Sequence, residues 1–372
     1  MTNRVHSIDA LRGIAALGVS IFCHFHFLAG NIIVAHPELA PGGFIPGASW
    51  LYLRGDGLVD LFFVLSGFIF CHIYRPKPEP IAISPRAFFV YRFARLYPIL
   101  LLTTLVAGAI MLMSQDWYGS TYGGVEVSWT EAVKHLLFLK QGVVHGSMNA
   151  PAWSISVEVT CYLLFYLIAT RSERMFIPLC CLMVLVGVMA LQDVVPFPMK
   201  DWWLPRGLVG FFAGCLLHRA KPLVDRIPTP VLAVGAVAGL YLSIAQPPVL
   251  HHMLTFGRLS LIGWPPVIAL ALRPWPAQVL AWKPFSLLGD LSYSVYLWHL
   301  PVAATILLAH GQVTFPPSQW LILMVGDAAA VLLVAYASFR WIETPARRYL
   351  RRFAGPKPPT DAGHAQTATA VT

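Results

Sequence analysis

The sequence predicts an all-α integral membrane protein, a bundle of about ten transmembrane helices with both termini cytoplasmic. Composition is the first sign. Of 372 residues, 57% are apolar and 12% are charged, against about 45–50% and about 25% in ordinary soluble domains. A soluble protein of this length with 17 acidic and 26 basic residues would expose large apolar patches and aggregate. Arrangement is the second sign, because apolar stretches near 20 residues recur along the chain with the basic residues in the gaps between them. A helix of about 20 such residues crosses a bilayer core.

Segments near 9–30, 57–74, 88–113, 151–169, 175–191, 203–218, 229–245, 254–272, 285–309 and 318–341 meet that criterion. The first begins after Arg4 and is interrupted by Asp9 and Arg12, with no small-residue cleavage site following, so it reads as an uncleaved first span. An even count of crossings places both termini on one side. The positive-inside rule then selects the side. With these segments, 20 of the 26 Lys and Arg residues lie on the side of the termini, and only Arg54, Lys134, Lys140, Lys200, Arg206 and Arg258 lie on the other. The termini are therefore expected in the cytoplasm and the bundle in the inner (plasma) membrane, with membrane lipids as its surroundings.

The gaps from Gly30 to Asp56 and from 114 to 150 are the two outer loops long enough to shape a site, and the second contains an amphipathic piece, Ala132 to Lys140. Residues 1–353 read as one transmembrane unit. Residues 354–372, poor in aromatic and large aliphatic side chains, read as a disordered cytoplasmic tail. The six cysteines fall mostly inside apolar runs without CxxC spacing, which suits small core residues and gives no metal site. The net charge of +9 does not point to nucleic acid, since a binder gathers its Lys and Arg on one soluble face.

Ionisable side chains inside spans are costly and usually face a cavity or a partner. Those that stand out are Arg12, His24, His26, Asp60, His72, Arg92, Arg95, Glu158 and His299. Twelve residues of helix put His24 roughly 18 Å beyond Arg12 toward the outer face, and Glu158 lies about 10 Å below that face on the fourth segment. Asp60, near the outer start of the second segment, joins them. Arg12, Arg92 and Arg95 form an inner layer. Guanidinium groups pair bidentately with phosphate, so the inner layer suits a polyanionic cytoplasmic ligand such as a phosphate-bearing cofactor. A histidine beside a carboxylate suits removal of a proton from a hydroxyl. The same residues also admit plainer readings: Arg92 and Arg95 as headgroup anchors, and His24 and His26 as parts of an interfacial HFHF belt. His72 and His299 read as structural.

Six blocks carry a resemblance to a known family: Ile8 to Leu17 (IDALRGIAAL), Gly57 to Phe68 (GLVDLFFVLSGF), Phe89 to Pro98 (FVYRFARLYP), Trp153 to Tyr166 (WSISVEVTCYLLFY), Leu288 to Pro301 (LGDLSYSVYLWHLP) and Trp341 to Arg348 (WIETPARR). In this order they resemble the acyltransferase 3 family of multi-span membrane acyltransferases, which O-acylate extracytoplasmic glycans and related acceptors. The resemblance implies that Arg12 and His24 are the family's first-span pair, Arg92 and Arg95 its RxxR, and Glu158 its SVE glutamate. It also implies acetyl-CoA or another acyl-CoA as donor. The soluble lobe that some members carry after the last span is not expected, since the sequence ends soon after Arg352. One spacing departs from the family, which usually has ten residues between that Arg and His, whereas here eleven precede His24 and thirteen precede His26. At about 100° per residue His24 falls about 120° around the helix from Arg12, and His26 about 40°. A straight helix favours His26, and a one-residue π-bulge favours His24.

The expected function is membrane O-acylation. His24, with His26 as its rival, is the base and Glu158 orients it, while Arg12, Arg92 and Arg95 hold the donor. Asp60, Trp153 and Ser156 line the site, and the acceptor is a glycan or a small hydroxyl-bearing molecule. No metal is expected. The competing reading is a proton-coupled secondary transporter of an anionic solute, in which the same buried groups relay protons. No internal repeat is visible to support it.

Overall fold

A computed structural model of the chain describes residues 5–23, 55–119, 127–139, 148–192, 203–244, 252–310 and 319–355. Among these residues the secondary structure is entirely helical, with no strand. Helix α1 is His6–Gly18 and runs directly into a π-helical turn, Val19–Cys23. Helices α2 (Leu58–Tyr74), α3 (Pro85–Tyr118), α4 (Trp129–Leu136), α5 (Ala152–Ala169), α6 (Glu173–Leu191), α7 (Trp203–Val224) and α8 (Thr229–Ile244) follow. Then come α9 (His252–Arg258), a second π-turn Leu259–Gly263, α10 (Trp264–Ala271), α11 (Pro274–Leu280) and α12 (Lys283–His310). The last stretch is α13 (Trp320–Ser338), a third π-turn Phe339–Glu343, α14 (Thr344–Leu350) and a 3-10 turn Arg351–Ala354.

Local chemistry sets several of these ends. Ser84 caps α3 by accepting from the Ala87 N–H, with Pro85 at the first helical position, where its missing N–H costs nothing. The same helix stops at Gly119, whose φ of 70° is the left-handed conformation that glycine adopts without a Cβ clash. Ser128 caps α4 by accepting from the Glu131 N–H. The amphipathic piece expected at Ala132 to Lys140 is this helix, shifted a few residues toward the N-terminus.

The described parts of all ten expected apolar segments fall on helices, but length and composition mark fewer as crossings. Six described helices are long and apolar enough to span a membrane, and seven if one bent pair counts as a single span. Of the first expected segment only the residues up to Cys23 are described; the rest of the difference from ten has physical reasons. Helix α7 carries Arg206, Arg219 and Lys221, and α8 has only 16 residues. The helical run ending at Ala271 turns by 84° into α11. Large apolar side chains such as Leu105, Leu112, Val234, Val237 and Leu333 are exposed on the outside of the bundle, where lipid would solvate them. Of the expected disordered tail, residues 356–372 lie outside the described residues.

Helix α12 is the axis of the bundle, with 83% of its apolar window buried. It meets α1 backbone to backbone. A Cβ on Gly13 would come within 2.5 Å of the Leu288 carbonyl carbon, and one on Gly289 within 2.6 Å of the Asp9 backbone. Small residues at such crossings are how membrane helices gain close van der Waals packing without a hydrophobic driving force. This contact brings Arg12 beside Ser292 and Tyr293.

Candidate active site

At the bundle end that holds the start of α1 and the start of α12, a cavity of about 450 Å³ opens, lined among others by Asp9, Arg12, His72, Arg95, Asp290, Tyr293, Glu343, Arg347 and Arg351. Its size falls in the range of small-molecule and cofactor sites. Arg12 is only 8% exposed and its Nε has no hydrogen-bond partner. Arg95 comes from α3 and lies close enough to Arg12 for the two charges to repel. The third π-turn brings Glu343 into the wall, where its Oε2 accepts from Ser294 Oγ at 2.7 Å. Arg347 lies 3.8 Å from the other oxygen of the same carboxylate.

Deeper in the bundle is a second, much smaller compartment of about 30 Å³, lined by Arg12, Val59, Phe62, Phe63, Ser154, Ile155, Glu158, Ser292, Tyr293 and Tyr296. Three residues, Arg12, Ser292 and Tyr293, line both spaces. Glu158 Oε1 accepts a 2.6 Å hydrogen bond from Ser66 Oγ of α2. Tyr293 donates to the Leu96 carbonyl at 2.6 Å, and Ser154 donates to Tyr296 at 2.9 Å. These bonds tie four helices, α2, α3, α5 and α12, around the carboxylate. A half-buried carboxylate inside an apolar bundle is retained where hydrogen bonds and cations offset its desolvation, and both Arg12 and Arg95 are within electrostatic range of Glu158.

The structure thus joins Arg12, Arg95 and Glu158 and separates several other sequence-predicted residues from them. Arg92 does not line the cavity; its guanidinium lies over the rings of Phe70 and Tyr74, at 5.0 and 5.4 Å from their centroids. Asp60 lines neither space. It forms a bidentate ion pair with Arg206 of α7, at 3.2 Å from Nε and 2.6 Å from Nη2, and both side chains are fully buried. Trp153 belongs to the same cluster. Arg206 sits 5.3 Å from its ring, 5.2 Å from Trp203 and 3.6 Å from Phe256. Ser156 turns back to the Ala152 carbonyl of its own helix. His299 is buried, with Nδ1 against the Tyr296 carbonyl. His24 and His26 lie outside the described residues, but the helix that leads to them contains a π-turn at Val19–Cys23, between Arg12 and His24.

Sequence reasoning missed Ser66, Tyr293, Glu343, Arg347 and Arg351. The arginines were counted as orientation markers, and the signal overlooked was Glu343 four residues before Arg347, an acid and a base on one helix face. Among the described residues no group of three or more His, Cys, Asp or Glu is placed to hold a metal ion.

The sequence model of the acyltransferase 3 family, an acyltransferase domain, matches residues 5–339. The peptidoglycan O-acetyltransferase OatA of Listeria monocytogenes is 26% identical over 92% of this chain and 56% of its own length. O-acetyltransferase OatA of Staphylococcus aureus is 24% identical over 92% of the chain and 57% of its own. Acyltransferase MdmB of Streptomyces mycarofaciens is 32% identical over 44% of the chain and 38% of its own. The chain therefore spans little more than half the length of the curated relatives it matches most fully. No solved structure matches it.

Proposed function

Because the chain belongs to the acyltransferase 3 family, we propose that it is a multi-pass membrane O-acyltransferase. In this reading it moves an acyl group, taken to be acetyl, from cytoplasmic acyl-CoA to a hydroxyl of a glycan or glycoside at the outer side of the membrane. The observation that carries the proposal is Arg12, which lines both the arginine cavity and the Glu158 compartment. A polyanion held at one end of the bundle and a carboxylate deeper in it are thereby connected through Arg12, the one cation among the three residues that line both spaces. The names of the OatA relatives support acetyl as the group and a cell-wall glycan as the class of acceptor. Ten crossings with both termini in the cytoplasm, in the inner membrane, put the arginine cavity on the donor's side and follow the placement of basic residues.

The cavity fits the proposed donor on chemical grounds. Four arginines line it, and planar guanidinium groups are suited to phosphate. Arg12 and Arg95 would hold the pyrophosphate, with Arg92 adding charge from its aromatic shelf. Bound there, the donor supplies an acyl thioester. Twelve residues of regular helix, the sequence separation of Arg12 and His24, rise about 18 Å, comparable to an extended phosphopantetheine arm.

The chain's own residues do the rest. His24 accepts the proton of the acceptor hydroxyl at one ring nitrogen and returns it to the leaving thiol. Glu158 orients the ring and balances its positive charge. The π-turn at Val19–Cys23 supports His24 over His26. It absorbs one residue, so a helix continued in regular phase beyond Cys23 would present position 24 within about 20° of the Arg12 face. Asp60, Trp153 and Ser156 shape the site through helix packing. The test is acetyl transfer by purified protein to peptidoglycan-derived oligosaccharide. His24→Ala is expected to abolish transfer with the protein still folded in the membrane, and full activity in both His24→Ala and His26→Ala would overturn the assignment.

A further inference from the structure

We propose that Arg347 and Arg351 form a clip at the mouth of the arginine cavity that reads the donor phosphate farthest from the thioester, the 3′-phosphate of the ribose. The proposal rests on the acyl-CoA reading given above and goes beyond it, because neither residue belongs to the first-span Arg or to the RxxR pair.

The two side chains are four residues apart on one continuous helical stretch and so lie on the same face, one above the other. That stretch follows the third π-turn. The turn buries Glu343 against Ser294 and leaves the carboxylate 3.8 Å from Arg347, so Arg347 is tethered from below. Arg351 is steadied from the side, with its guanidinium 5.8 Å from the Tyr91 ring. Both line the cavity, and both lie in the range of Arg95's charge.

Exposure orders the cations along the cavity. Arg12 is buried, the Arg347 side chain is 28% exposed, and Arg351 is exposed. Arg12 is also the residue that touches the Glu158 compartment. A donor whose thioester points past Arg12 must therefore keep its far end near Arg351. The carboxylates Asp9 and Asp290 line the same cavity, so the anion is placed by particular guanidinium groups and not by an unbroken positive field. Two adjacent guanidiniums give a phosphate four or more charge-assisted N–H donors in fixed directions.

A phosphate at this position can come from the donor or from an anionic lipid headgroup, and the experiment separates the two. Full-length protein in neutral detergent is titrated calorimetrically with CoA and with 3′-dephospho-CoA. The wild-type chain should bind CoA about tenfold more tightly, the effect of one charge-assisted contact. Arg351→Ala and Arg347→Ala should each erase that preference while leaving 3′-dephospho-CoA affinity unchanged, which also shows that the variants are folded. Arg12→Ala should weaken both ligands alike. Equal binding of the two ligands by the wild type, or parallel losses in the Arg351 variant, would overturn the clip while leaving the donor reading intact. Binding of neither ligand would overturn both. The titrations are repeated in phosphatidylcholine discs with and without phosphatidylglycerol. If Arg351→Ala loses phosphatidylglycerol binding but keeps the CoA preference, the pair holds a lipid headgroup and the proposal is wrong.

Discussion

Ser66 Oγ donates a 2.6 Å hydrogen bond to Glu158 Oε1, linking α2 to α5 at the wall of the smaller compartment. The bond pins one carboxylate oxygen and so the direction of the whole group. If Glu158 orients and charge-balances a histidine base, Glu158→Gln should keep the shape and lower kcat by about a hundredfold or more, within the range for general acid–base groups. Ser66→Ala should cost about tenfold, because the carboxylate survives but can swing. Steady-state kinetics check both; a Glu158→Gln protein with wild-type kcat would remove the carboxylate from the mechanism.

The π-turn between Arg12 and His24 makes a second prediction. Deleting Ser20, which lies in that turn, leaves ten residues between Arg12 and the former His24. A plain α-helix then carries the histidine on the face that the bulge gives it now. Activity should persist at no less than about a tenth of wild type. Inserting one alanine after Ser20 should abolish it, since a second extra residue turns the histidine away by about 100°. Loss in both variants, with normal expression, would show that phase is not what the turn preserves.

The Asp60–Arg206 pair predicts a stability effect and not a kinetic one. Removing one partner of a buried pair leaves an uncompensated charge, at a cost of ~3–5 kcal/mol. Asp60→Ala and Arg206→Ala should therefore lower the Tm of the detergent-solubilised protein sharply, and the double replacement Asp60→Leu with Arg206→Met should recover most of it. A soluble, fully stable Asp60→Ala protein with a raised KM for acceptor would instead restore Asp60 to the substrate site.

These residues show what the sequence makes legible. Arg12, Arg95 and Glu158 stand out because an ionised group in an apolar run needs a reason, and the structure brings them together. The odd spacing before His24 poses a choice between a straight helix and a one-residue bulge, since a helix has a fixed phase, and the π-turn at Val19–Cys23 is found where the bulge was needed. Asp60 was equally visible but its partner was not: Arg206 sits at the start of an apolar segment and reads as an outer-loop charge. Ser66 is a neutral residue inside FVLSGF, and nothing local marks it as a ligand of Glu158. Arg347 and Arg351 were hidden by a second, valid use of the same residue type, the marking of the cytoplasmic side. Length and apolarity located the helices, but whether a bent or charged helix crosses the membrane depends on packing that periodicity does not encode.

The smaller compartment holds about 30 Å³ of free space between Phe62, Phe63, Ile155, Tyr293 and Tyr296. Space for roughly one small group favours acetyl over longer chains. Relative kcat/KM for acetyl-, propionyl- and butyryl-CoA should fall steeply in the wild type. Phe62→Ala should raise the butyryl-to-acetyl ratio about tenfold or more, because pocket discrimination per methylene is of order 10–200-fold. An unchanged ratio would place the acyl group elsewhere.

The central claim is transfer across the thickness of the bundle, from a polyanion site at the arginine end to a proton-accepting site deeper in. Proteoliposomes with the protein in one orientation, acetyl-labelled acetyl-CoA sealed on the arginine side and peptidoglycan-derived oligosaccharide only on the other, test it directly. The predicted result is label on the oligosaccharide, dependent on His24 and Arg12, while CoA stays with the donor compartment. Label that appears only when donor and acceptor share a compartment would contradict it.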